Sequence, residues 1–262
     1  MTVVETERRG QVLIVRMNRP EHLNALNTEM REKLAETWIA FRHDKELEVA
    51  VFTGAGRAFC AGEDMKESLT TGMPGGPRIS NPNPFMDGTL EKPVIAAING
   101  YTMGGGFMLA ERTDLRVAVP EAVFEISEAK RWLLGGYNHG HFANLPFPIA
   151  MEMALGFRFT AERFYQLGFI NRIAAQADLI PTAMEMAEHL LSLPPASRVN
   201  TVHMMHHMRP EPSLAQQSLA ERLHEHGDKN DLMESRAAFA EKRKPKFKGW
   251  LDPEDRYRMP KL

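Results

Sequence analysis

The sequence predicts an α/β protein with a parallel sheet. Short apolar runs rich in β-branched residues have the length of buried strands, and they lie at residues 12–15, 49–54, 93–100 and 114–119. Between the first two runs, apolar residues recur every three or four positions over residues 28–41, as on one face of a helix. Strands that alternate with helices in this order are typical of a parallel arrangement.

Turn and cap residues bound these elements. The first run ends at a turn over residues 17–20, and Asn27 or Thr28 is available as the N-cap of the following helix. Residues 70–88 are rich in proline and glycine and lack periodicity, so they predict a long surface loop of the kind that often covers sites. After position 145 the pattern becomes helical, with an apolar stripe over residues 182–191.

Composition excludes several classes of protein. The 262 residues are 43% hydrophobic and 25% charged, as in an ordinary globular chain. Lys and Arg total 32 against 34 Asp and Glu, and this net charge of −2 gives no bulk attraction for nucleic acid or an anionic membrane. The single cysteine, Cys60, excludes an internal disulfide framework. Neither a secretory or transit signal nor a membrane-spanning run is evident, so we expect a cytoplasmic protein.

Two segments join a strand to glycines and then to a predicted helix. They lie at residues 59–66 and 99–107, and the second contains a glycine triplet at 104–106. The first turn of a helix leaves backbone N–H groups unpaired and carries a partial positive charge. Glycine lets such a turn approach another group closely. The pair of segments therefore predicts backbone donors for an anion that develops during a reaction.

With these segments the sequence resembles the crotonase, or enoyl-CoA hydratase/isomerase, superfamily. The matching segments cover nearly the whole chain in order, and they are residues 18–20 with 23–26, 58–67, 92–100, 104–106, 161–168 and 239–244. The resemblance implies a ClpP/crotonase-like spiral of ββα units over residues 1–200. It also implies a helical region over 201–262 that completes a CoA site and mediates trimers, often stacked into hexamers. The implied ligand is a CoA thioester substrate, with no permanently bound cofactor.

In this family two backbone N–H groups hold the thioester carbonyl, and they fall here on Glu63 and Gly105. Only the backbone of Glu63 would be used, so its carboxylate is expected to point away. Two such donors stabilise the enolate that forms from a thioester. Because hydration, isomerisation, hydrolysis and C–C cleavage share that step, the two donors predict a superfamily rather than one reaction.

The acid/base residues follow from the same resemblance. Family hydratases use two glutamates, of which the first falls on Met108, which cannot transfer a proton, and the second on Glu128. Glu128 is therefore the expected principal acid/base. Glu125 and, less strongly, Glu111 are candidates for a replacement acid. The arrangement of one carboxylate at Glu128 with an apolar residue at the other position also resembles that of the Δ3,Δ2-enoyl-CoA isomerases and the hydroxycinnamoyl-CoA hydratase-lyases.

Residues 132–141 replace the glycine-rich run that the family usually has after the second glutamate. We expect the acyl pocket to be lined by Met108, Trp132, Tyr137, His139 and His141. By resemblance, the residues that contact CoA are Leu23, Ala25, Ala61, Lys66, Phe239 and Lys242. A basic cluster around Phe247 at residues 242–248 suits the phosphates of CoA, and the alternative is a frayed charged tail.

Three functions remain open from the sequence. The first is an enoyl-CoA hydratase or isomerase, and the second is a hydrolase or hydratase-lyase that acts on an aromatic or alicyclic acyl-CoA. The third is a non-catalytic, RNA-binding family member, against which the net charge of −2 argues. His203, His206 and His207 lie at helical spacing without an evident third ligand type. We therefore expect a solvated helix face or a subunit contact there, and no metal.

Overall fold

The computed structural model describes residues 2–73, 79–135 and 145–262. These residues form two compact units, each drawn from separate stretches of the chain. Among the described residues, the first unit comprises 2–63, 79–125 and 158–209, and the second comprises 64–73, 126–135, 145–157 and 210–262. The predicted division of the sequence into domains at residue 200 stays a prediction.

The first unit contains the strands. In chain order they are β1 (Val4–Arg9), β2 (Val12–Met17), β3 (Val49–Gly54), β4 (Ala58–Cys60), β5 (Val94–Ile98), β6 (Tyr101–Met103), β7 (Leu115–Ala118), β8 (Val123–Glu125), β9 (Phe159–Thr160) and β10 (Arg172–Ile173). The helices of both units are α1 (Thr28–His43), α2 (Met65–Thr71), α3 (Gly105–Arg112), α4 (Phe147–Ala154), α5 (Ala161–Gln166), α6 (Leu179–Ser192), α7 (Pro195–His207), α8 (Leu214–His224) and α9 (Asn230–Ala240).

The strands form two sheets, and from β3 to β8 the chain alternates between them. A six-stranded sheet has the order β1-β2-β3-β5-β7-β10, and a four-stranded sheet has the order β4-β6-β8-β9. All pairs are parallel except β1 with β2 and β8 with β9. Over this stretch each turn of the chain adds one strand to each sheet, and a helix follows in the turns that begin with β3 and β5. This succession confirms the predicted parallel sheet and the predicted spiral of ββα units.

The first helix agrees closely with its sequence pattern. Helix α1 begins at Thr28, and the Asn27 side chain caps it by accepting a hydrogen bond from the N–H of Met30. The apolar residues that predict the helix are all buried, namely Met30, Leu34, Trp38 and Phe41. The helix continues two residues past the predicted end, to His43, because that last turn keeps its backbone hydrogen bonds.

The predicted surface loop over residues 70–88 is irregular in its described second half, but it buries an aromatic side chain there. Phe85 is 4% exposed, and its ring stacks on Trp38 with centroids 4.8 Å apart. Phe52 packs edge-on against both rings. An aromatic side chain buries enough apolar surface to hold a segment of irregular backbone against the core.

A second aromatic cluster lies under helix α3. The ring of Phe107 stacks on Phe169 with centroids 5.2 Å apart, and Phe124 packs edge-on against Phe107 and Phe164. Phe107 and Phe124 are completely buried. Because interlocked rings resist rearrangement, this cluster fixes the position of α3 on the strands beneath it.

Removal of the Asn24 amide is expected to destabilise the first unit. Asn24 is fully buried with a φ of 56°, and its Nδ2 donates to the carbonyls of Ala55 at 2.9 Å and Ala58 at 2.8 Å. Its Oδ1 accepts the N–H of Arg19 at 2.9 Å. We expect Asn24→Ala to lower the free energy of unfolding by about 2–4 kcal/mol, because buried polar groups lose partners and alanine disfavours positive φ.

Chemical denaturation with an unchanged m-value measures this loss. The exposed Asn200 on α7 provides the matched control, since Asn200→Ala is expected to change stability by less than about 0.5 kcal/mol. Equal stabilities for the two variants would contradict the structural role of the Asn24 amide.

Candidate active site

The start of helix α3 presents a backbone donor. Gly104, with φ 48° and ψ −120°, turns the chain from β6 into the helix, and its N–H donates to the carbonyl of Glu125 at 2.8 Å. Gly105 is the first residue of the helix. Its N–H therefore has no acceptor within the helix and lies at the positive end of the helix dipole.

A second turn lies directly against the first. Gly62 is buried with a φ of 85°, and its carbonyl accepts the N–H of Leu26 at 2.7 Å. A Cβ atom at Gly62 would lie 2.6 Å from the carbonyl oxygen of Met103 and 3.1 Å from the amide nitrogen of Gly105. The two turns thus touch through their main chains. The structure brings together the two segments that the sequence singled out, with Glu63 next to the contact.

A third glycine sets how closely α3 approaches β4. A Cβ atom at Gly106 would lie 2.1 Å from the carbonyl oxygen of Cys60, well inside van der Waals contact. The Cys60 side chain is completely buried, and burial raises the pKa of its thiol to about 12. This cysteine is therefore a packing residue rather than a nucleophile.

The residues predicted to contact CoA are distributed over both units. In the first unit, Leu23 has a φ of 52°, and its carbonyl accepts the N–H of Ala61 at 3.0 Å. Ala25 is buried in the same turn. These three predicted residues therefore lie together, beside the Gly62 turn.

The other three predicted CoA residues lie in the second unit. Lys66 is exposed on α2, and Lys242 follows α9 with a φ of 53°. Phe239 is 54% exposed, and the guanidinium of Arg131 lies 4.6 Å from its ring centroid. The guanidinium and the ring attract each other as a cation–π pair, which holds Phe239 at the surface of this unit.

The two predicted carboxylates have different surroundings. Glu125 ends β8 in the first unit opposite Met103, and its side chain is 7% exposed. Arg158 donates from Nε to the carboxylate of Glu125 at 2.9 Å, so this carboxylate is ion-paired. Glu128 lies in the second unit, half-buried, at the start of a 3₁₀ turn over Ala129–Arg131.

The two remaining candidates on α3 lie at different ends of the helix. Met108 is half-buried one turn into α3, and its N–H bonds to the carbonyl of Gly104. Glu111 is 3% exposed near the other end, about 9 Å along the axis from Gly105. There its charge acts on Arg116 and Arg209. The structure thus places Glu111 in a charged cluster away from the glycine turn.

The predicted acyl-pocket residues are only partly described. Tyr137, His139 and His141 lie outside the described residues. Trp132 adopts a left-handed conformation with a φ of 63°, and a Cβ at Gly227 would lie 3.1 Å from its ring. Its place in an acyl pocket stays a prediction.

A cavity of about 660 Å³ lies within the second unit, between α2, α9 and the segment that follows α9. It is lined by Leu69, Asn230, Asp231, Met233, Glu234, Ala237, Arg243, Lys246 and Lys248. Three of these side chains are cationic and belong to the basic cluster seen in the sequence. The cavity therefore combines apolar walls with positive charge, as an anionic ligand with an apolar part requires.

Two carboxylates on α9 hold the basic segment in place. Asp231 accepts the backbone N–H groups of Lys248 at 2.8 Å and Gly249 at 2.7 Å. Glu234 accepts the N–H of Lys246 at 2.6 Å and pairs with both terminal nitrogens of Arg243. The alternative of a frayed charged tail is therefore wrong for this basic segment, which is hydrogen-bonded to α9. The only sequence signal is the spacing of the two acids, which places them on one helix face.

The sequence of the chain matches a known family of enzymes over most of its length. The model of the family described as enoyl-CoA hydratase/isomerase matches residues 7–250. The chain belongs to the enoyl-CoA hydratase/isomerase family. It is accordingly an acyl-CoA enzyme of the hydratase/isomerase class, which confirms the resemblance seen in the sequence.

Relatives and solved structures agree with this assignment. The chain is 33% identical to the enoyl-CoA hydratase EchA19 of Mycobacterium tuberculosis, over 92% of this chain and 94% of that one. It is 34% identical to the (E)-benzylidenesuccinyl-CoA hydratase of Thauera aromatica, over 94% and 99% of the two chains. The crystal structure of a carnitinyl-CoA hydratase from Mycobacterium avium superposes with a TM-score of 0.81 at 29% identity, over 95% and 99%.

The described residues contain neither a membrane-spanning helix nor a cluster of the usual metal ligands. None of the helices has the length and apolar character needed to cross a membrane, as far as the structure describes the chain. Within the same residues, no group of three or more His, Cys, Asp or Glu side chains is placed to hold a metal ion.

A methyl group at Gly106 is expected to displace the donor at Gly105. Because the new Cβ would collide with the Cys60 carbonyl, α3 must move away from β4 in Gly106→Ala. Loss of one oxyanion donor costs roughly 3 kcal/mol, so we expect kcat to fall by about 10²-fold in the folded variant. Steady-state kinetics, normalised to the folded fraction from circular dichroism, measure the effect.

Gly168→Ala is the control for this variant. Gly168 has a φ of 79° and open space around it, so alanine there is expected to cost about 1 kcal/mol of stability and leave kcat unchanged. A folded Gly106→Ala enzyme with normal kcat would contradict the role of the contact.

Loss of the Glu234 carboxylate is expected to release the basic segment. The side-chain hydrogen bond from Arg243 and, second in size, the backbone hydrogen bond from Lys246 lower the pKa of Glu234 to about 2. A lowered pKa means that the contribution of the charged carboxylate is complete above about pH 4.5 and is lost as the pH falls through about 2. At pH 8 we therefore expect Glu234→Gln to speed tryptic cleavage after Lys246 and Lys248 by about tenfold.

The nearby Glu241 offers the control for this cleavage assay. It pairs with Arg243 at 2.5 Å but makes no bond to the Lys246 N–H in the described part of the chain. Glu241→Gln should therefore cleave close to the native rate. A native rate in Glu234→Gln would show that Glu234 does not hold the segment.

Proposed function

We propose that this enzyme is an acyl-CoA hydratase or isomerase that stabilises a thioester enolate with the backbone N–H groups of Glu63 and Gly105. Glu128 serves as its principal acid/base. The observation that carries the proposal is the main-chain contact between the Gly62 and Gly105 turns. This contact supports the proposal because it brings the two turns close enough for neighbouring donors to converge on one oxygen atom.

The donors act on the charge that appears during the reaction. As a proton leaves the acyl chain or water adds to it, the electron pair moves onto the thioester oxygen and forms an enolate. An N–H at the start of α3 stabilises that oxygen because the helix dipole and the unpaired donor point the same way. The enolate then collapses as a carbon atom takes up a proton.

Glu128 supplies the proton transfers in this proposal. In isomerisation its carboxylate removes a proton from one carbon and returns it to another, so one group is sufficient. In hydration the carboxylate takes a proton from water as the hydroxyl adds, and it then gives that proton to Cα. Met108 stands where family hydratases have their other glutamate, so both transfers fall on one residue.

The CoA part of the substrate has two groups of candidate contacts. Leu23, Ala25 and Ala61 form one group beside the Gly62 turn. Lys66, Phe239 and Lys242 form the other, in the unit that also contains the 660 Å³ cavity. Phosphates require positive charge, which the lysines of that cavity provide in a chain that is otherwise nearly neutral. The proposal includes no permanently bound cofactor.

We further propose a cytoplasmic homo-oligomer, a trimer or a dimer of trimers. Helix α4 and its C-cap residue support the oligomer because they expose large apolar side chains at a spacing of four residues. Phe147 is 73%, Met151 43% and Leu155 59% exposed. Such a stripe is typical of a surface that a partner covers.

A second candidate keeps the fold and the enolate but changes the reaction. Met108 in place of a glutamate favours hydrolysis of the thioester or retro-aldol cleavage by a hydratase-lyase, with an aromatic or alicyclic acyl group. Similarity to the relatives does not identify the acyl group of this enzyme's substrate, since chains of 33% and 34% identity are named for different substrates.

Product masses separate these reactions. We would incubate the enzyme with enoyl, aromatic and alicyclic CoA thioesters and analyse the products by mass spectrometry. A gain of one water indicates hydration, and an altered retention time at constant mass indicates isomerisation. Free CoA without an acceptor indicates hydrolysis, and an aldehyde with acetyl-CoA indicates the lyase. Absence of turnover together with tight, salt-sensitive RNA binding would favour the non-catalytic alternative.

Glu128→Gln tests the assigned acid/base. Because the amide keeps the shape but cannot transfer a proton, we expect kcat to fall by about 10²–10⁴-fold with little change in KM. Glu121→Gln, in the exposed turn before β8, is the control and should keep native kinetics. Glu125→Gln distinguishes the alternative acid: a larger loss there than at Glu128 would transfer the role to Glu125.

A further inference from the structure

The end of helix α7 exposes a run of side chains that bind soft metal ions. Residues 203–208 read His-Met-Met-His-His-Met. Met204 is 59% and Met208 63% exposed, and His203 and His207 are also exposed. Thioether and imidazole groups are both metal ligands, and here they lie side by side on one exposed stretch of chain.

His206 is not part of this exposed group. Its Nε2 lies 2.6 Å from a carboxylate oxygen of Asp114, so it faces the protein. Arg209 approaches the same oxygen at 3.5 Å. The run thus divides into one histidine that anchors α7 and five exposed side chains, Met205 among them, that have no such anchoring role in the described structure.

His203 and His207 are placed as a chelating pair. They lie four residues apart on α7, and their ring centroids are 4.4 Å apart with an interplanar angle of 56°. Rings this close can present two nitrogen atoms to one ion, because a metal–imidazole bond is about 2 Å long.

One ring is already oriented for this purpose. Nδ1 of His207 lies 2.9 Å from the backbone carbonyl of His203. A carbonyl only accepts, so Nδ1 carries the hydrogen and Nε2 keeps its lone pair. Metal-binding histidines commonly donate their second N–H to a backbone carbonyl in this way, which fixes the tautomer and the ring orientation.

In contrast to the expectation of no metal from the histidine spacing alone, we propose that His203 and His207 form a surface binding site for copper ions, with a thioether of Met204 or Met208 as a further ligand for Cu(I). Each methionine follows a histidine by one residue, so the two thioethers lie on the adjoining strip of the helix. Imidazole suits copper in both oxidation states, whereas thioether sulfur selects Cu(I). The flexible methionine side chain reaches a neighbouring ion without movement of the helix.

The surrounding charges permit a cation at this position. Glu91 lies close enough to His203 to interact with its charge, and Arg42 pairs with Glu91 at 2.5 Å. The carboxylate and the guanidinium offset each other. Two nitrogen ligands and one sulfur ligand are sufficient for three-coordinate Cu(I), and the exposed position leaves the ion exchangeable.

Direct titration of the full, untagged chain tests the site. Cu(I) is added under anaerobic conditions in competition with a chromophoric Cu(I) chelator, and Ag(I) serves as a redox-inert probe by calorimetry. We expect one equivalent to bind, and His203→Ala or His207→Ala to weaken the affinity by at least about tenfold. His189→Ala, an exposed single histidine on α6, is the control and should bind as the native chain does.

A second comparison tests the sulfur ligand. The double variant Met204→Leu with Met208→Leu should lose affinity for Ag(I) and Cu(I) and keep its affinity for Cu(II). Circular dichroism of each variant establishes that α7 is folded. Native binding by the double variant His203→Ala with His207→Ala would overturn the site, and native Ag(I) affinity without the thioethers would overturn the sulfur ligand.

Discussion

The main-chain contact between the turns at Gly62 and Gly105 is the constraint on which the proposed chemistry depends. Two amide groups reach one oxygen atom only if their backbones approach more closely than side chains permit. The glycines supply this in two ways: Gly62 and Gly104 adopt positive φ, and Gly106 lets α3 lie on the Cys60 carbonyl. Because the donors belong to the backbone, their direction is set by the fold and not by a rotamer.

The rest of the first unit holds these turns still. Buried amides of Asn24 and Asn99 both donate to the carbonyl of Ala58, at the start of the strand that leads into the Gly62 turn. The aromatic rings beneath α3 fix the helix whose first residue is Gly105. A donor that needs no rearrangement when charge appears stabilises that charge most effectively, so rigid packing here serves the reaction directly.

Sequence predicted the parts of the fold that carry long periodic patterns. Strands β2, β3, β5 and β7 and helices α1 and α6 lie where the pattern placed them. Strands β9 and β10 have two residues each, too few to carry a pattern, and they exist through pairing with β8 and β7. In the site, the glycines predicted the two backbone turns, because positive φ and close approach of the main chain require glycine at those positions. The Asp231 and Glu234 contacts escaped prediction because each joins residues brought together only by folding.

The surroundings of the carboxylates narrow the choice of reaction. Glu125 is ion-paired with Arg158, and Glu111 interacts with arginines at the far end of α3. Each of these two described carboxylates thus has a structural role, whereas Glu128 is the carboxylate that we propose to transfer the proton. A single acid/base that returns the proton it removed acts on one face of the substrate. A single acid/base of this kind is sufficient to shift a double bond. It is sufficient to add water only if the hydroxyl and the proton arrive from the same side of the substrate.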